Sequence, residues 1–497
     1  LSNALENAAM VMAEEKVVSP FLEGNFAPVR EEVQAEDLPL IGELPAGLEG
    51  MFVRTGPNPQ FDVIKGYHWF GGDGMLHGVR IKDGKASYRN RYVRTWAYEK
   101  EKAAGRALWG STLGAPEFDN PNGPSRGNTG NTALVWHDGK LMTLWEAGDP
   151  HIVKLPGLET PGTYDYNGKL MHAFTAHPKV DEKTGEMLFF GYNMMGFDMA
   201  KGGAKVPYLQ YSTVSPDGEI TMTTPIDLPR GVMMHDFAVS EHYSIFMDLP
   251  LVFDMQRAMK GESPLYFNRD LPARFGLLPR HAQGSEVRWF EAPSCYVFHT
   301  LNAFEQGDEV ILDACRMEDF DMGSLDSTTA PTPESRRMIR EDSQQSLYRW
   351  RFNTKTGDVK EGPLDDQPSD FPRVHDSLVG YEARFGYNAR FGGQAGMPEA
   401  DALIKYDLHT GKNTVHLHGP NRFGGEGVFV PRPNAKSEDD GWVVTYVYDG
   451  NTGGSEFVVV DALNMEAAPV ARVQLPQRVP YGFHGAWISE ERIQAQR

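Results

Sequence analysis

Cysteine is the residue that this sequence most clearly lacks, since only Cys295 and Cys315 occur among its 497 residues. Two cysteines cannot form the disulfide framework on which many secreted domains depend, so they favour a reducing compartment. We therefore expect a cytoplasmic protein with both thiols packed in its core. Because the chain begins at Leu1 rather than at methionine, a plastid location after removal of a targeting segment is the alternative.

Long apolar runs and positive charge are also scarce. No stretch approaches the roughly 18–20 apolar residues of a membrane-spanning helix. Lysine and arginine number 48 against 68 acidic residues, which gives a net charge of −20. This deficit argues against nucleic acid as a partner and against electrostatic attraction to anionic lipid. It leaves membrane contact through apolar side chains open.

Glycine and proline, by contrast, are abundant, with 52 and 34 residues. The Asp-Gly pairs at 83–84 and 138–139 predict tight hairpin turns, because these residues tolerate a positive φ. Short apolar segments flank such turns from Gly50–Thr55 to Phe457–Asp461. A four-stranded blade takes roughly 40–60 residues, so the chain has room for about seven. We predict an all-β protein, a propeller with long loops on one face.

One β-propeller domain is predicted for residues 21–497, preceded by an N-terminal helical extension over residues 1–20. The extension is inferred from its helical composition and from apolar residues spaced for one face. Two segments interrupt the strand pattern and are expected to be excursions from the blades: Phe253–Gly284 and Met317–Gln345.

Four of the 15 histidines share a setting, because each follows an aromatic, apolar or small residue: His177, His235, His299 and His484. His235 lies on a predicted hairpin, Val232–Pro250. The intervals between the four are 58, 64 and 185 residues, and the last is about three times the others. Side chains that recur once per blade point toward one axis, which predicts a metal site. Neutral imidazoles suit iron, copper or zinc. Taken singly, a histidine next to aromatic residues is more often an ordinary core or surface residue than a ligand.

Ligating imidazoles usually donate their second N–H to a carboxylate or carbonyl group. Three acidic residues stand in constrained surroundings, at the ends of apolar runs or among glycines: Glu146, Asp370 and Glu426. They are candidates to orient the histidines. The competing interpretation is that each is a solvated residue at the end of a strand.

The residues around these positions resemble the carotenoid cleavage dioxygenase family, which also contains the retinal pigment epithelium isomerase and the stilbene-cleaving dioxygenases. The resemblance extends over almost the whole chain. The matching stretches are FVRTGPNP (52–59), YHWFGGDGMLHG (67–78), TAHPK (175–179), MHDF (234–237), FHTLNAF (298–304), FPR (371–373), FVPR (429–432) and GFHG (482–485).

The resemblance implies a seven-bladed propeller capped by a helical and loop dome, with Fe(II) on its axis. The implied iron ligands are His177, His235, His299 and His484, and the carboxylates behind them are Glu146, Asp370 and Glu426. The family usually has glutamate at the position of Asp370, which leaves open whether this shorter side chain reaches a histidine directly or through water. Thr132 matches a position where a methyl group crowds one open iron site, so it is the implied catalytic residue.

The implied activity is that of a non-haem Fe(II) dioxygenase, which cleaves a conjugated C=C bond of a carotenoid or apocarotenoid with dioxygen to give two carbonyl products. The stretch from Phe21 to Val93 looks most like plant-type members that act at the 9,10 (9′,10′) bond. Cleavage of a shorter apocarotenoid or stilbene-like alkene is the alternative. Trp145 disfavours a phenolic stilbene, because stilbene-cleaving members have a lysine there. Retinoid isomerisation, or a propeller that merely binds lipid or protein, is more remote.

An apolar polyene as substrate implies a dry tunnel near the iron and access from a membrane. The candidate tunnel residues are Met233, Met234, Phe298, Phe304 and Phe483, which ordinary core packing explains equally well. Leu251–Leu278 contains enough apolar residues to form a lip for peripheral membrane contact. Such docking would be hydrophobic and insensitive to salt, because the chain is acidic.

Overall fold

Seven antiparallel sheets surround a common axis and form a seven-bladed β-propeller in this computed structural model. The structure describes residues 19–64, 67–110, 119–123, 125–193, 197–198, 204–254, 256–257, 260, 264–320, 344–392 and 398–497. The predicted extension over residues 1–20 and the segment Met317–Gln345 lie largely outside these ranges. The division into an extension and one domain therefore stays a prediction.

The first four blades follow one another along the chain, except that the last strand of the protein joins blade 1. With strands numbered in chain order, blade 1 contains β1 (Gln34–Ala35), β3 (Gly50–Pro57), β4 (Gly74–Lys82), β5 (Lys85–Tyr92) and β34 (Gly485–Ser489). Blade 2 contains β6 (Ala133–His137), β7 (Lys140–Leu144) and β8 (His151–Val153). Blade 3 contains β9 (Lys179–Asp181), β10 (Glu186–Tyr192), β13 (Leu209–Val214) and β14 (Ile220–Ile226). Blade 4 contains β15 (Ala238–Val239), β16 (Tyr243–Asp248), β19 (Ala273–Pro279) and β20 (Arg288–Ala292).

The remaining three blades complete the ring. Blade 5 contains β21 (Tyr296–Gln306), β22 (Glu309–Met317), β23 (Ser346–Asn353) and β24 (Val359–Pro363). Blade 6 contains β25 (Ser369–Arg373), β26 (Phe385–Arg390), β27 (Ala402–Asp407) and β28 (Lys412–Leu417). Blade 7 contains β30 (Val428–Pro431), β31 (Gly441–Asp449), β32 (Gly454–Asp461) and β33 (Ala471–Gln474), with β2 (Leu40–Gly42) and β29 (Arg422–Phe423) at its edges.

Two small hairpins and two short helices lie outside this pattern in the described part of the chain. The hairpins pair β11 (Phe197–Asp198) with β12 (Ala204–Lys205), and β17 (Leu251–Phe253) with β18 (Leu265–Phe267). The helices are α1 (Trp96–Ala104) and α2 (Glu490–Gln494). No helix among the described residues is long and apolar enough to cross a membrane.

The burial of each strand explains its sequence. Middle strands such as β10 are buried along almost their whole length, because neighbouring blades cover both faces. The outer strand β14 alternates instead between exposed or half-buried and more buried residues, as expected for a strand with one wet face. Both cysteines are free and fully buried, as predicted.

The predicted Asp-Gly turns form as expected. Asp83 and Gly84 have φ of 52° and 70°, and they join β4 to β5, so that Lys82 pairs with Lys85. Asp138 and Gly139 likewise join β6 to β7, with φ of 45° and 67°. These turns fix the register of two blades that flank the axis.

The first and last strands of the ring pair with each other. β3 and β34 are antiparallel neighbours from Gly50–Ser489 to Arg54–Gly485, so blade 1 is built from both ends of the chain. This pairing closes the ring of blades by hydrogen bonds between the two strands. It also carries the residues just before β34 to the axis.

The predicted excursion Phe253–Gly284 matches the structure only in part, since the hairpin of β17 and β18 lies outside the blades, and the predicted membrane lip is not supported. Ala273–Pro279, inside both Phe253–Gly284 and Leu251–Leu278, is a regular strand of blade 4, and Phe275 and Leu278 are fully buried there. Leu251 is also buried, and β18 is half-buried. The continuous apolar run near residue 277 thus reflects a strand covered on both faces. Membrane contact would require exposed apolar side chains, and no large apolar side chain among the described residues of 251–278 is exposed.

Candidate metal centre

The innermost strand of each blade begins within three residues of a residue predicted for the site. Each innermost strand lies at an edge of its sheet, and six of the seven also contact a neighbouring blade: β6, β15, β21, β25, β30 and β34, with β9 assigned from its edge position alone. Since the blades are related by rotation about the axis, the starts of their innermost strands meet at one end of it. The residues there, in chain order, are Thr132, His177, His235, His299, Asp370, Glu426 and His484. Glu146 is the exception, because it follows β7.

The four predicted histidines converge through their Nε2 atoms. Nε2 of His235 lies 3.1 Å from that of His177 and 3.3 Å from that of His299. Nε2 of His484 lies 3.1 Å from that of His299. The ligating atoms of the first three all lie within 4.8 Å of one another. The ring of His484 lies 4.6 Å from that of His177, which completes the group.

Three of the histidines contact a carboxylate through the opposite ring nitrogen. Nδ1 of His299 lies 2.9 Å from Oδ1 of Asp370, and Nδ1 of His484 lies 2.9 Å from Oε1 of Glu426. Nδ1 of His235 contacts Oε2 of Glu146. No carboxylate partner is present for His177 within the described ranges. A carboxylate at Nδ1 holds the proton there and leaves the Nε2 lone pair directed to the common centre.

Asp370 reaches its histidine directly, which answers the question raised by its short side chain. The pairing of β25 with β26 shifts register between Asp370 and Arg373, and Phe371 within this bulge has a φ of 53°. A left-handed conformation is costly for phenylalanine, by about 1–3 kcal/mol, and persists where packing imposes it. The N–H of Phe371 also donates to Oδ1 of Asp370, at 2.7 Å. The bulge therefore sets where the shorter carboxylate lies.

The three carboxylates are themselves held by different donors. The hydroxyl of Tyr192 donates to Glu146. Glu426 accepts from the main-chain N–H of Gly485 at 2.7 Å and lies 3.4 Å from Nη1 of Arg373. Burial acts to raise the pKa of Glu426, but the positive charge of Arg373 and the contacts with His484 and the Gly485 N–H together outweigh it and hold the pKa at about 2. Glu426 is therefore ionised at neutral pH.

Burial also favours neutral imidazoles at two of the four histidines. It lowers the pKa of His177 well below the ordinary value, and the neighbouring rings add to the effect. It likewise lowers the pKa of His484, although Glu426 opposes it. Burial acts in the same direction at His299, but the charge and hydrogen bond of Asp370, with the charges of Asp236 and Glu426, together outweigh it, and the pKa of His299 is raised.

Aromatic side chains surround the histidines. The ring of Phe371 stacks on His299 at 5.3 Å and lies 5.2 Å from His484. The ring of Phe298 meets His235 edge-on at 5.3 Å. Phe70 links Phe298 to Phe483, with ring centres 6.5 and 5.5 Å away. The centre is thus enclosed by apolar rings that limit water around it.

The tunnel candidates divide between this aromatic group and the blade cores. Phe298 and Phe483 belong to the group around the histidines. Met233 and Met234 are buried in two separate apolar clusters. Phe304 lies under the guanidinium of Arg349, 5.6 Å away, between strands of blade 5. Core packing therefore explains Phe304.

Thr132 lies beside the backbone of His484. Its carbonyl oxygen accepts from the N–H of His484 at 3.2 Å, and its hydroxyl donates to Oδ1 of Asn131 at 2.9 Å. Because the hydroxyl is engaged with Asn131, the side chain is anchored next to the centre. The crowding role suggested for its methyl group stays a prediction.

The donor set fits a transition metal. Imidazole nitrogens bind such ions at about 2.0–2.1 Å, which places two ligands at right angles about 3 Å apart. The separations of 3.1, 3.3 and 3.1 Å between the Nε2 atoms agree with this arrangement. Neutral nitrogen donors with oriented tautomers suit iron, copper or zinc. The site is therefore a candidate for a divalent metal with positions left open for reactants.

A seven-bladed propeller with four histidines converging on its axis places the protein in the class of propellers with a candidate metal centre. Comparison with known proteins identifies its family. Residues 26–489 match the family model described as retinal pigment epithelial membrane protein. A carotenoid 9,10(9′,10′)-cleavage dioxygenase of Arabidopsis thaliana is 42% identical over 513 residues, which cover 96% of this chain and 91% of that protein. The chain belongs to this family, which confirms the resemblance inferred from its motifs.

Solved structures agree with this assignment. The lignostilbene dioxygenase of Pseudomonas brassicacearum superposes with a TM-score of 0.84 at 31% identity, covering 95% of this chain and 98% of that one. A cobalt-substituted apocarotenoid oxygenase of Synechocystis gives a TM-score of 0.81 at 26% identity, covering 93% and 97%. The propeller is thus shared along the whole length of these relatives.

Sequence reasoning missed several residues that hold the centre together. Tyr192, Arg373 and Phe371 contact the carboxylates or the histidine rings, yet none was assigned a role. Arg373 and Phe371 do occur in the matched stretch FPR. Tyr192 ends the apolar strand β10 and carries no local signal, because its partner Glu146 is 46 residues away.

Proposed function

We propose that this enzyme cleaves a conjugated C=C bond of a carotenoid or apocarotenoid, at the 9,10 (9′,10′) position, with Fe(II) and dioxygen. The observation that carries the proposal is the convergence of four Nε2 atoms, three of them on rings that are oriented by carboxylates. Relatives named for the same cleavage match this chain at 41–42% identity over almost its full length.

The bound iron would activate dioxygen for addition to the alkene, and His177, His235, His299 and His484 would hold it. Bound through Nε2, all four ligands would be neutral imidazoles, which would leave the charge of the metal undiminished. The carboxylates behind them fix the ring tautomers. Four histidines would leave two positions open if the coordination were octahedral, and we assign the crowding of one of them to Thr132.

The aromatic group has a separate role in this proposal. Phe298, Phe371 and Phe483 present ring faces and edges to the same space, which suits an apolar polyene better than a charged substrate. Exclusion of water would protect the reaction from side oxidation. The carbonyl products are more polar than the polyene, which favours their release.

A stilbene-like alkene is the second candidate substrate, favoured by the structural match to a lignostilbene dioxygenase. The residue directly before Glu146 argues against a phenolic stilbene. It is Trp145, whose indole cannot pair with a phenolate as an ammonium group does. We therefore place the carotenoid first.

The first test combines iron analysis with turnover. The purified protein would be incubated aerobically with a carotenoid, an apocarotenal and a hydroxylated stilbene, with polyene absorbance followed and products identified by mass. We expect near-stoichiometric iron and two carbonyl products whose masses place the cut at the 9,10 bond. Iron without polyene loss would contradict the substrate, and absence of iron after anaerobic ferrous reconstitution would contradict the centre.

A pair of histidine variants separates the centre from general stability. H235A removes one ligand and should abolish iron binding and turnover together. The matched control is H416A, because His416 is also buried but bonds through Nδ1 to the carbonyl of Met465, outside the centre. Equal iron loss in the two variants would contradict the assignment of His235.

A further inference from the structure

A buried carboxylate outside the ligand set connects three of the histidine-bearing segments. Asp236 directly follows His235 and is 1% exposed. Its Oδ1 lies 2.7 Å from Nζ of Lys179, two residues after His177. Its Oδ2 accepts from the N–H and the hydroxyl of Thr300, at 2.8 and 2.9 Å, and Thr300 directly follows His299. One side chain therefore joins blades 3, 4 and 5 immediately beside their ligands.

The geometry of this connection is over-determined. The N–H of Phe237 donates to Oδ1 of Asp236 at 2.8 Å, and the hydroxyl of Thr300 also lies 3.2 Å from the carbonyl oxygen of Phe237. Asp236 thus has four polar contacts on its two oxygens. Fully satisfied buried networks of this kind hold one arrangement, because any displacement leaves a charge without partners.

Asp236 contacts no histidine side chain among the described hydrogen bonds, so it differs from the carboxylates at Nδ1. Those carboxylates set the tautomer and orientation of single rings. Asp236 instead acts on the backbone that carries the rings. His484 is tied differently, through Arg373, whose Nη1 lies 3.0 Å from the carbonyl oxygen of Gly485.

We infer that Asp236, with Lys179 and Thr300, is a positioning residue that sets the mutual spacing of His177, His235 and His299 before the metal arrives. The inference rests on the metal centre of the proposed function and extends it. A preformed spacing matters because ligands displaced by a fraction of an ångström bind a metal less tightly.

The test measures metal binding rather than turnover. Apo-protein would be titrated anaerobically with ferrous ion in competition with a chelating dye, and the absorption spectrum of the Co(II)-loaded protein would report ligand geometry. D236N keeps the size of the side chain but removes the charge that Lys179 pairs with. We expect its affinity for the metal to fall about 10-fold or more, as for other residues outside the ligand set, with a changed Co(II) spectrum.

The matched control is D313N. Asp313 is equally buried and pairs with Arg349 at 2.7 Å between β22 and β23, so its loss disturbs a buried ion pair away from the ligands. D313N should keep the metal affinity and the Co(II) spectrum of the wild type. An equal loss of affinity in D236N and D313N would overturn the inference, because it would reflect general destabilisation.

A milder variant covers the case in which D236N does not fold. T300V removes the two hydroxyl contacts, to Asp236 and to the carbonyl oxygen of Phe237, and leaves the main-chain N–H of Thr300, so a smaller loss in the same direction is expected. Wild-type affinity in T300V, or in a folded D236N, would overturn the inference. A wild-type protein that binds no metal would refute the proposed function itself.

Discussion

Replacing Asp370 by glutamate gives the family's usual residue, and the structure predicts that it weakens the centre. The carboxylate of Asp370 already lies 2.9 Å from Nδ1 of His299 and 2.7 Å from the N–H of Phe371. The side chain is only 5% exposed. In D370E an added methylene lengthens the side chain by about 1.5 Å, so the carboxylate must fold back or displace the imidazole.

Two effects set the size of the loss. Overpacking of a filled interior costs about 1–3 kcal/mol of stability. Disturbance of a group that orients a ligand lowers metal affinity about 10- to 100-fold, which corresponds to about 1.4–2.7 kcal/mol. D370N keeps the shape and one acceptor oxygen, so its unfolding temperature should stay closer to that of the wild type. D370A leaves Nδ1–H of His299 unsatisfied and should bind metal more weakly than D370N.

The assay is anaerobic titration of the apo-proteins with ferrous ion, together with thermal unfolding of each variant. The family pattern alone, in which glutamate is usual at this position, would lead to the opposite expectation, that D370E strengthens metal binding. Metal affinity in D370E equal to or above that of the wild type, at an unchanged unfolding temperature, would refute the structural reasoning.

Two further predictions concern contacts farther from the ligands. Y192F removes the hydroxyl that donates to Glu146, so this carboxylate is less firmly held. We expect a several-fold loss of metal affinity in the same ferrous titration. Unchanged affinity would contradict this prediction. Burial acts to raise the pKa of Asp181, but hydrogen bonds from Arg280 and Tyr381 and the charge of Arg280 together outweigh it, and the pKa is lowered. The ionised carboxylate therefore stabilises the fold above the ordinary carboxyl pKa and ceases to do so as the pH falls below it. D181N should therefore lower the free energy of unfolding, measured with denaturant, by about 2 kcal/mol at neutral pH. The difference in this free energy between D181N and the wild type should shrink below about pH 4. A difference that does not depend on pH would contradict the assignment.

The spacing of the histidines predicted the ring because each interval corresponds to whole blades. The long interval between His299 and His484 spans three blade steps, and its two intermediate positions hold Asp370 and Glu426. The fold brings these residues together because each lies within three positions of the start of an innermost strand. Periodicity along the chain therefore carried the information about the axis.

The contacts between blades were beyond that reasoning. Glu146 and His235, which contact each other, lie 89 positions apart in the sequence. Neither local sequence indicates this pairing. The direct contact of Asp370 with His299 depends on the left-handed backbone conformation of Phe371. The sequence does not predict this conformation, because phenylalanine rarely adopts it. The buried strand at residue 277 was misread because an apolar run gives the same signal in a blade core and on an exposed lip.

Closure of the ring by β34 has a consequence for biogenesis. His177, His235 and His299 leave the ribosome at least 185 residues before His484, whose strand completes blade 1. A nascent chain therefore carries three ligands without the fourth while a further 185 residues are synthesised. Acquisition of a metal by all four histidines would then mark a finished propeller, and a product truncated before residue 484 would lack both the last ligand and the strand that seals the ring.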